Sequence, residues 1–283
     1  MRTIFRHTLS RHRGQILGWG IALGLLGFYL VLFYDTIAEQ QEVIQQLLQS
    51  YPPEMLAFFG DIDAVTTPEG YLGVEFFSYM PLILGIFAVL AGSSLLASDE
   101  EQGTLDLVLA YPVSRTALFL GRLLGLVVAT TAIFAIMWLS FVIATFWSSI
   151  GVGWSELVLP FLSLLAVVLL FGTLAILLSM LLPSRRLAAM TAGIVVVASF
   201  FLTSLARIDE DLETIAKLSP LNYYQSGDAI QGLNSTWFGG LLAVAALFTL
   251  LAWWRFQRRD IRIGGEGGWR LSLPWRKPAT GST

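Results

Sequence analysis

A tandem pair of glutamates (Glu100-Glu101), two histidines (His7 and His12) and a glycine run at 264–268 are the residues whose types invite a chemical reading. Paired carboxylates suit acid–base work, and some membrane proteases use paired glutamates. Those enzymes also need an arginine at helical spacing and histidines in later apolar runs, and neither is present. His7 and His12 stand five apart and share a helix face poorly, with no thiol or acidic ligand to complete a metal site. Gly264-Gly265-Glu266-Gly267-Gly268 lacks the Gly-Lys-Ser/Thr ending of a phosphate loop and follows an apolar run rather than a strand, so it reads as a linker. With no cysteine, disulfides, thiolate metal sites and thiol nucleophiles are excluded. No catalytic, cofactor or metal residue is expected in this chain.

What the glutamates can do is start a helix. Ser98 with Glu101 fits a capping box, and acids at 99–101 favour a helix N-terminus. Leu105, Val108 and Leu109 would share one face of that helix, Pro112 stops it, and Ser114 can cap the next. Glu100 and Glu101 could serve the cap, pair with Arg115 or Arg122, or meet basic groups on a partner. The simpler alternative is an interfacial helix that only tidies a loop.

The elements that must position this segment are membrane helices. Hydrophobic residues make up 55% of the chain and charged ones 13%, with a mean hydropathy of +0.71; a soluble domain carries about 25% charged residues. Crossing a bilayer takes roughly 20 apolar residues per helix. Six runs qualify, at about 15–34, 76–97, 117–147, 157–182, 187–206 and 237–256. Their cores hold no Asp, Glu, Lys, Arg or His; Asp35, Glu75 and Arg122 sit at or near their ends. Ion-coupled transport places such groups mid-membrane, so no proton or sodium relay is expected.

Basic residues orient the spans, since Lys and Arg collect on the cytoplasmic side. With the N-terminus inside, 15 of the 17 fall in inner segments and only Arg207 and Lys217 outside. Both termini are then cytoplasmic. The N-terminal apolar run is followed by Tyr34-Asp35-Thr36-Ile37 rather than a small-residue cleavage site, against a signal peptide. Residues 2–13 read as an amphipathic interfacial helix, with Ile4, Phe5 and Leu9 toward acyl chains and Arg2, Arg6 and Arg13 toward headgroups. Outside, 35–75 carry a helical pattern at 39–48, and 207–236 carry a short helical stretch from Tyr223. These segments would cap the outer mouth. The expected fold is an all-α integral membrane protein, one six-helix domain over 1–260 with a flexible basic tail over 261–283.

The run Glu101-x-Gly103-Thr104-Leu105-Asp106-Leu107-x-Leu109-x-x-Pro112-Val113-Ser114-Arg115 resembles the hallmark of the type-2 ABC-transporter permeases. Other pieces match in order: the basic N-terminal helix, Ser184-Arg185-Arg186 between spans four and five, Ser219-Pro220-Leu221-x-Tyr223-Tyr224, and Arg258-Arg259-Asp260 after the last span. The resemblance covers nearly the whole chain.

It implies a half-transporter in the bacterial or archaeal plasma membrane, mostly exporting, paired as a homodimer or heterodimer and driven by separate ATPase subunits that bind ATP and magnesium. No nucleic-acid partner is implied. Residues 98–115, including Ser98, Glu100, Glu101, Gly103, Thr104, Leu105, Leu109, Pro112, Ser114 and Arg115, would form the coupling element, with Arg185 and Arg186 a second contact. Spans one, two and five would line a dimer cavity. Gly20, Gly24, Gly27, Ala189 and Gly193 allow close helix approach there, or equally within one protomer. The competing classes are a passive channel or secondary transporter, which would show a charged or carbonyl-lined midplane, and a membrane sensor or scaffold. Co-purification of an ATPase separates the first class from both.

Overall fold

Within hydrocarbon no water satisfies backbone N–H and C=O groups, so apolar runs of this length must close their own hydrogen bonds as helices. The computed structural model describes residues 1–40, 52, 67–101 and 114–258, which contain no strand. The helices are α1 (Arg2–Arg11), α2 (Arg13–Glu39), α3 (Pro68–Leu72), α4 (Met80–Ser94), α5 (Ala97–Glu101), α6 (Arg115–Thr145), α7 (Trp154–Leu181), α8 (Arg185–Leu205), α9 (Glu213–Ala216) and α10 (Ser235–Arg258). A π-helical turn at Gly73–Phe77 links α3 to α4, and short 3-10 turns occupy Pro220–Tyr223 and Gly227–Ile230. The helix expected over 39–48 and the tail over 261–283 lie outside the described residues.

Five helices, α2, α6, α7, α8 and α10, are long and apolar enough to cross a bilayer. A sixth crossing results if α3 with the π-turn and α4, bent by 40°, count as one broken span. It begins earlier than the expected residue 76, because Thr67 accepts a hydrogen bond from the Gly70 N–H and Pro68 sits at the first helical position. The break has a local cause. Pro81 cannot donate a backbone hydrogen bond, and its ring would crowd the carbonyl of Phe77 in a continuous helix. The Phe77 carbonyl instead accepts the Tyr224 hydroxyl at 2.9 Å. Burial pushes the Tyr224 phenol well above its usual pKa, so it keeps the proton it donates.

The π-turn buries Phe76 and Phe77 together. Their rings meet Phe141 of α6 and Phe161 of α7, with Phe76–Phe141 centroids 4.8 Å apart and Phe77–Phe161 centroids 5.2 Å apart. Residues 219–226 clamp this region from the loop. Ser219 Oγ accepts from the Leu221 N–H, and Ser226 donates to the Gly73 carbonyl. Two 3-10 turns replace the helical stretch expected from Tyr223, since Ser226 at φ 23° interrupts it.

α7 is the hub. It packs against α4, α6, α8 and α10, and 67% of its apolar window is buried against 17% for α10. Gly92 of α4 crosses α7 so closely that a Cβ there would collide with the Gly172 carbonyl. α2 packs instead on α6, where Gly20 faces Ile136, Gly24 faces Ser140 and Gly27 faces Phe141. The Ser140 hydroxyl donates to the Gly24 carbonyl at 2.7 Å. These three glycines therefore serve close packing within the chain, against α6. Ala189 is half-buried, and nothing lies within 4 Å of a Cβ at Gly193.

α1 is present, but Ile4 does not face outward as expected. Ile4 and Thr8 fit against Gly121 and Gly125 of α6, leaving Phe5 and Leu9 half-buried. Glycines on α6 let α1 approach, so the apolar residue nearest them turns inward.

Gly92→Ala is expected to push α4 off α7 and to cost about 1–3 kcal/mol, the usual cost of overpacking. Gly193→Ala should stay within about 0.5 kcal/mol of the parent. Thermal unfolding of both purified variants in detergent checks this; equal melting temperatures would refute the assigned crossing.

Candidate functional site

The sequence motifs converge at one end of the bundle, here termed the basic end. Helix polarity brings together the start of α2, the ends of α4, α7 and α10, and the starts of α6 and α8. Of the expected coupling residues, Ser98, Glu100, Glu101, Ser114, Arg115, Arg185 and Arg186 are described; Gly103, Thr104, Leu105, Leu109 and Pro112 lie outside the described residues.

Asp99 organises this end. Asp99 and Arg122 are each only 8% exposed. Arg122 pairs with Asp99 through Nη2, and its Nη1 donates to the Leu95 carbonyl at 2.7 Å. That carbonyl belongs to the turn between α4 and α5, so one guanidinium holds both the backbone and the side chain of the hinge. Arg11 at the end of α1 reaches the other Asp99 oxygen at 3.2 Å. One carboxylate thus ties α1, α5 and α6 together.

Glu101 makes a second tie. Its Oε1 accepts the Arg185 backbone N–H at 2.9 Å, and its Oε2 lies 3.7 Å from the Arg185 Nε. A carboxylate at the first turn of α8 meets both an unsatisfied N–H and the positive helix end. Ser184 caps the same turn, accepting from the Leu187 N–H at 3.3 Å, and Ser114 caps α6 as expected, accepting from the Ala117 N–H at 3.1 Å. Ser98 does not stand at the N-cap of α5 as expected. α5 already begins at Ala97, which places Ser98 inside the helix, and Glu101 is drawn across to Arg185.

Arg115 turns toward the last span. Its guanidinium donates to the Phe256 and Gln257 carbonyls at 3.3 and 3.2 Å, capping the end of α10 where carbonyls are unpaired and the dipole favours a cation. Arg258 stacks over Trp254 at 4.4 Å. Arg186 is exposed. The basic end is therefore linked by α1–α5–α6 through Asp99, α5–α8 through Glu101, and α6–α10 through Arg115.

Reading the sequence singled out Glu100 and Glu101 and passed over Asp99. A usable signal existed: Arg122 lies two turns inside an apolar helix, and a cation there calls for a carboxylate partner. Asp99 is the acid nearest the apolar end of the preceding span.

Two comparisons bear on this arrangement. The family model described as "ABC-2 family transporter protein" matches residues 16–261. The chain is also 22% identical over 213 residues to the "Uncharacterized membrane protein YdbK" of Bacillus subtilis (strain 168), covering 70% of this chain and 86% of that protein.

Removing one partner of a buried ion pair strands the other charge, at about 3–5 kcal/mol. Asp99→Asn should therefore lower the melting temperature sharply. Glu101→Gln should cost no more than about 1 kcal/mol, since Glu101 and Arg185 are about half exposed (47% and 46%). Melting curves of the two purified variants decide it, and equal losses would contradict the hierarchy.

Proposed function

Because the chain belongs to the ABC-2 family of transporter proteins, we propose that it is the permease subunit of an ATP-driven transporter, powered by separate ATPase subunits that bind the ATP and magnesium. The multi-pass helical architecture suits a membrane-spanning subunit, and the missing phosphate loop assigns hydrolysis to a partner. The basic end faces the cytoplasm in this reading, carried by the 15-to-2 distribution of basic residues. The protein sits in the plasma membrane, works mainly as an exporter, and pairs with a second permease. The exposed stripe of α8 around Met190, Ile194, Val197 and Phe201, which also carries Gly193, is available for the cavity or the pairing face.

The single observation that carries the coupling role is the Glu101 bridge to Arg185. It joins the two segments that the sequence motifs assign to the ATPase contact, residues 98–115 and 184–186, within one chain. A push on either is then felt by both α4 and α8, the spans on which a cavity would open. α1 shares that movement through Arg11 and Asp99.

Glu100, half-exposed between Asp99 and Glu101, is the residue this proposal assigns to the contact with the ATPase. Glu100→Ala should leave expression, insertion and melting near parental. Coupled ATPase activity of the reconstituted complex should fall about tenfold, equivalent to 1.4 kcal/mol. Parental turnover in a correctly assembled Glu100→Ala complex would remove Glu100 from the contact. ATP turnover by this chain alone, free of contaminating ATPase, would overturn the division of labour itself.

A further inference from the structure

The broken span has one open face. Beyond the π-turn, Tyr79, Ile83, Ile86 and Leu90 succeed one another at helical spacing, with Ile86 and Leu90 52% and 57% exposed. The opposite side, with Phe76, Phe77, Leu84 and Phe87, is buried. Glu75 stands at the head of the open face, half-buried on the π-turn. Acyl chains alone would satisfy the apolar part, but not a carboxylate.

Four other acids within or beside the spans have partners. Asp35 accepts from Ser148 and Ser149, Asp99 binds two arginines, Glu101 binds Arg185, and Glu156 accepts from the Gly153 N–H. Among the described residues the Glu75 side chain enters no ion pair or hydrogen bond. Tyrosines flank it along the same span. Tyr71 and Tyr79, each four residues away, lie within its electrostatic reach, and Tyr29 of α2 lies within reach of Tyr71. Tyr29 is 58% exposed and stacks on Phe33. The Tyr71 hydroxyl is committed to the Leu30 carbonyl, which fixes its ring.

A carboxylate beside tyrosine rings binds an alkylated ammonium group, which gains from both the charge and the ring faces. The apolar track to Leu90 runs about 20 Å at helical rise, long enough for an alkyl chain. We propose that this face binds a cationic amphiphile, its ammonium group at Glu75 and its chain along Ile83, Ile86 and Leu90. This inference rests on the permease reading, for which it names the substrate class.

The test uses the full-length protein in nanodiscs of zwitterionic lipid, with empty nanodiscs as background. The probe is a dansyl-tagged dodecyl ammonium; unlabelled dodecyltrimethylammonium, dodecyl maltoside and dodecyl sulfate compete. Saturable probe binding is expected, displaced by the trimethylammonium compound at least about tenfold more strongly than by the neutral or anionic ones. Glu75→Gln should weaken probe binding about tenfold, and Tyr29→Leu about threefold. Tyr29 is exposed, so its replacement keeps the test sound should Glu75→Gln fail to fold. Equal competition by the neutral compound, parental affinity in folded Glu75→Gln, or parental affinity in Tyr29→Leu would each overturn the site. Cation-selective binding by a chain that never assembles with an ATPase would overturn the permease reading and leave the site standing. An assembled, ATP-coupled complex without cation selectivity would do the reverse.

Discussion

The interaction on which the basic end depends is the buried contact of Asp99 with Arg122. A guanidinium two turns inside an apolar helix has few ways to keep its charge satisfied. Here it takes the Asp99 carboxylate and the Leu95 carbonyl together. That geometry fixes where α4 ends, how α5 turns away and how α5 sits on α6. A well-packed apolar pair could equal it in stability, because desolvation offsets much of the attraction. What an apolar pair would not supply is direction: the carboxylate presents two oxygens to two helices, and Arg11 uses the second to bring α1 into the same unit.

At the far end the controlling constraint is Pro81. A continuous second span would leave its ring against the Phe77 carbonyl, so the helix breaks and the freed carbonyl passes to Tyr224. The same break turns Phe76 and Phe77 inward against Phe141 and Phe161. It also leaves Glu75 and Tyr79 at the head of the open face. One proline thus connects the 219–226 loop, the aromatic cluster and the outer part of the exposed stripe. The span is regular along α4 beside α7 and irregular beyond it.

Much of this was legible before any coordinates. Long apolar runs report helices directly, and five spans coincide with their expected runs to within a few residues. The second did not, because Thr67 and Pro68 start a helix in a segment of ordinary hydropathy that a hydropathy reading assigns to a loop. The Ser114 cap was legible because capping is local in sequence. The Asp99 contact could have been read from Arg122 inside its apolar helix, but the Glu101 contact was not legible: its partner lies 84 residues away, and spacing cannot say that Glu101 rather than Glu100 faces Arg185. The glycines of α2 were legible as close-packing residues. Which helix they pack on depends on the tertiary fold, which places α6 over them.

On the proposed permease function the basic end would move as a unit, with α5 and the start of α8 joined at Glu101 and Arg185, and α1 and α6 joined to them at Asp99. The most direct measurement uses the cysteine-free background of the native chain. Glu101→Cys and Arg185→Cys are introduced together and joined by a short bifunctional thiol reagent in the complex reconstituted with the proposed ATPase subunits. Should the two segments travel together, the cross-linked complex turns over ATP and moves substrate at least as fast as the same double variant before cross-linking, which lacks the Glu101–Arg185 bridge. Turnover that stops on cross-linking and returns when a cleavable linker is cut would show that α5 and α8 must separate during the cycle, and would contradict the account.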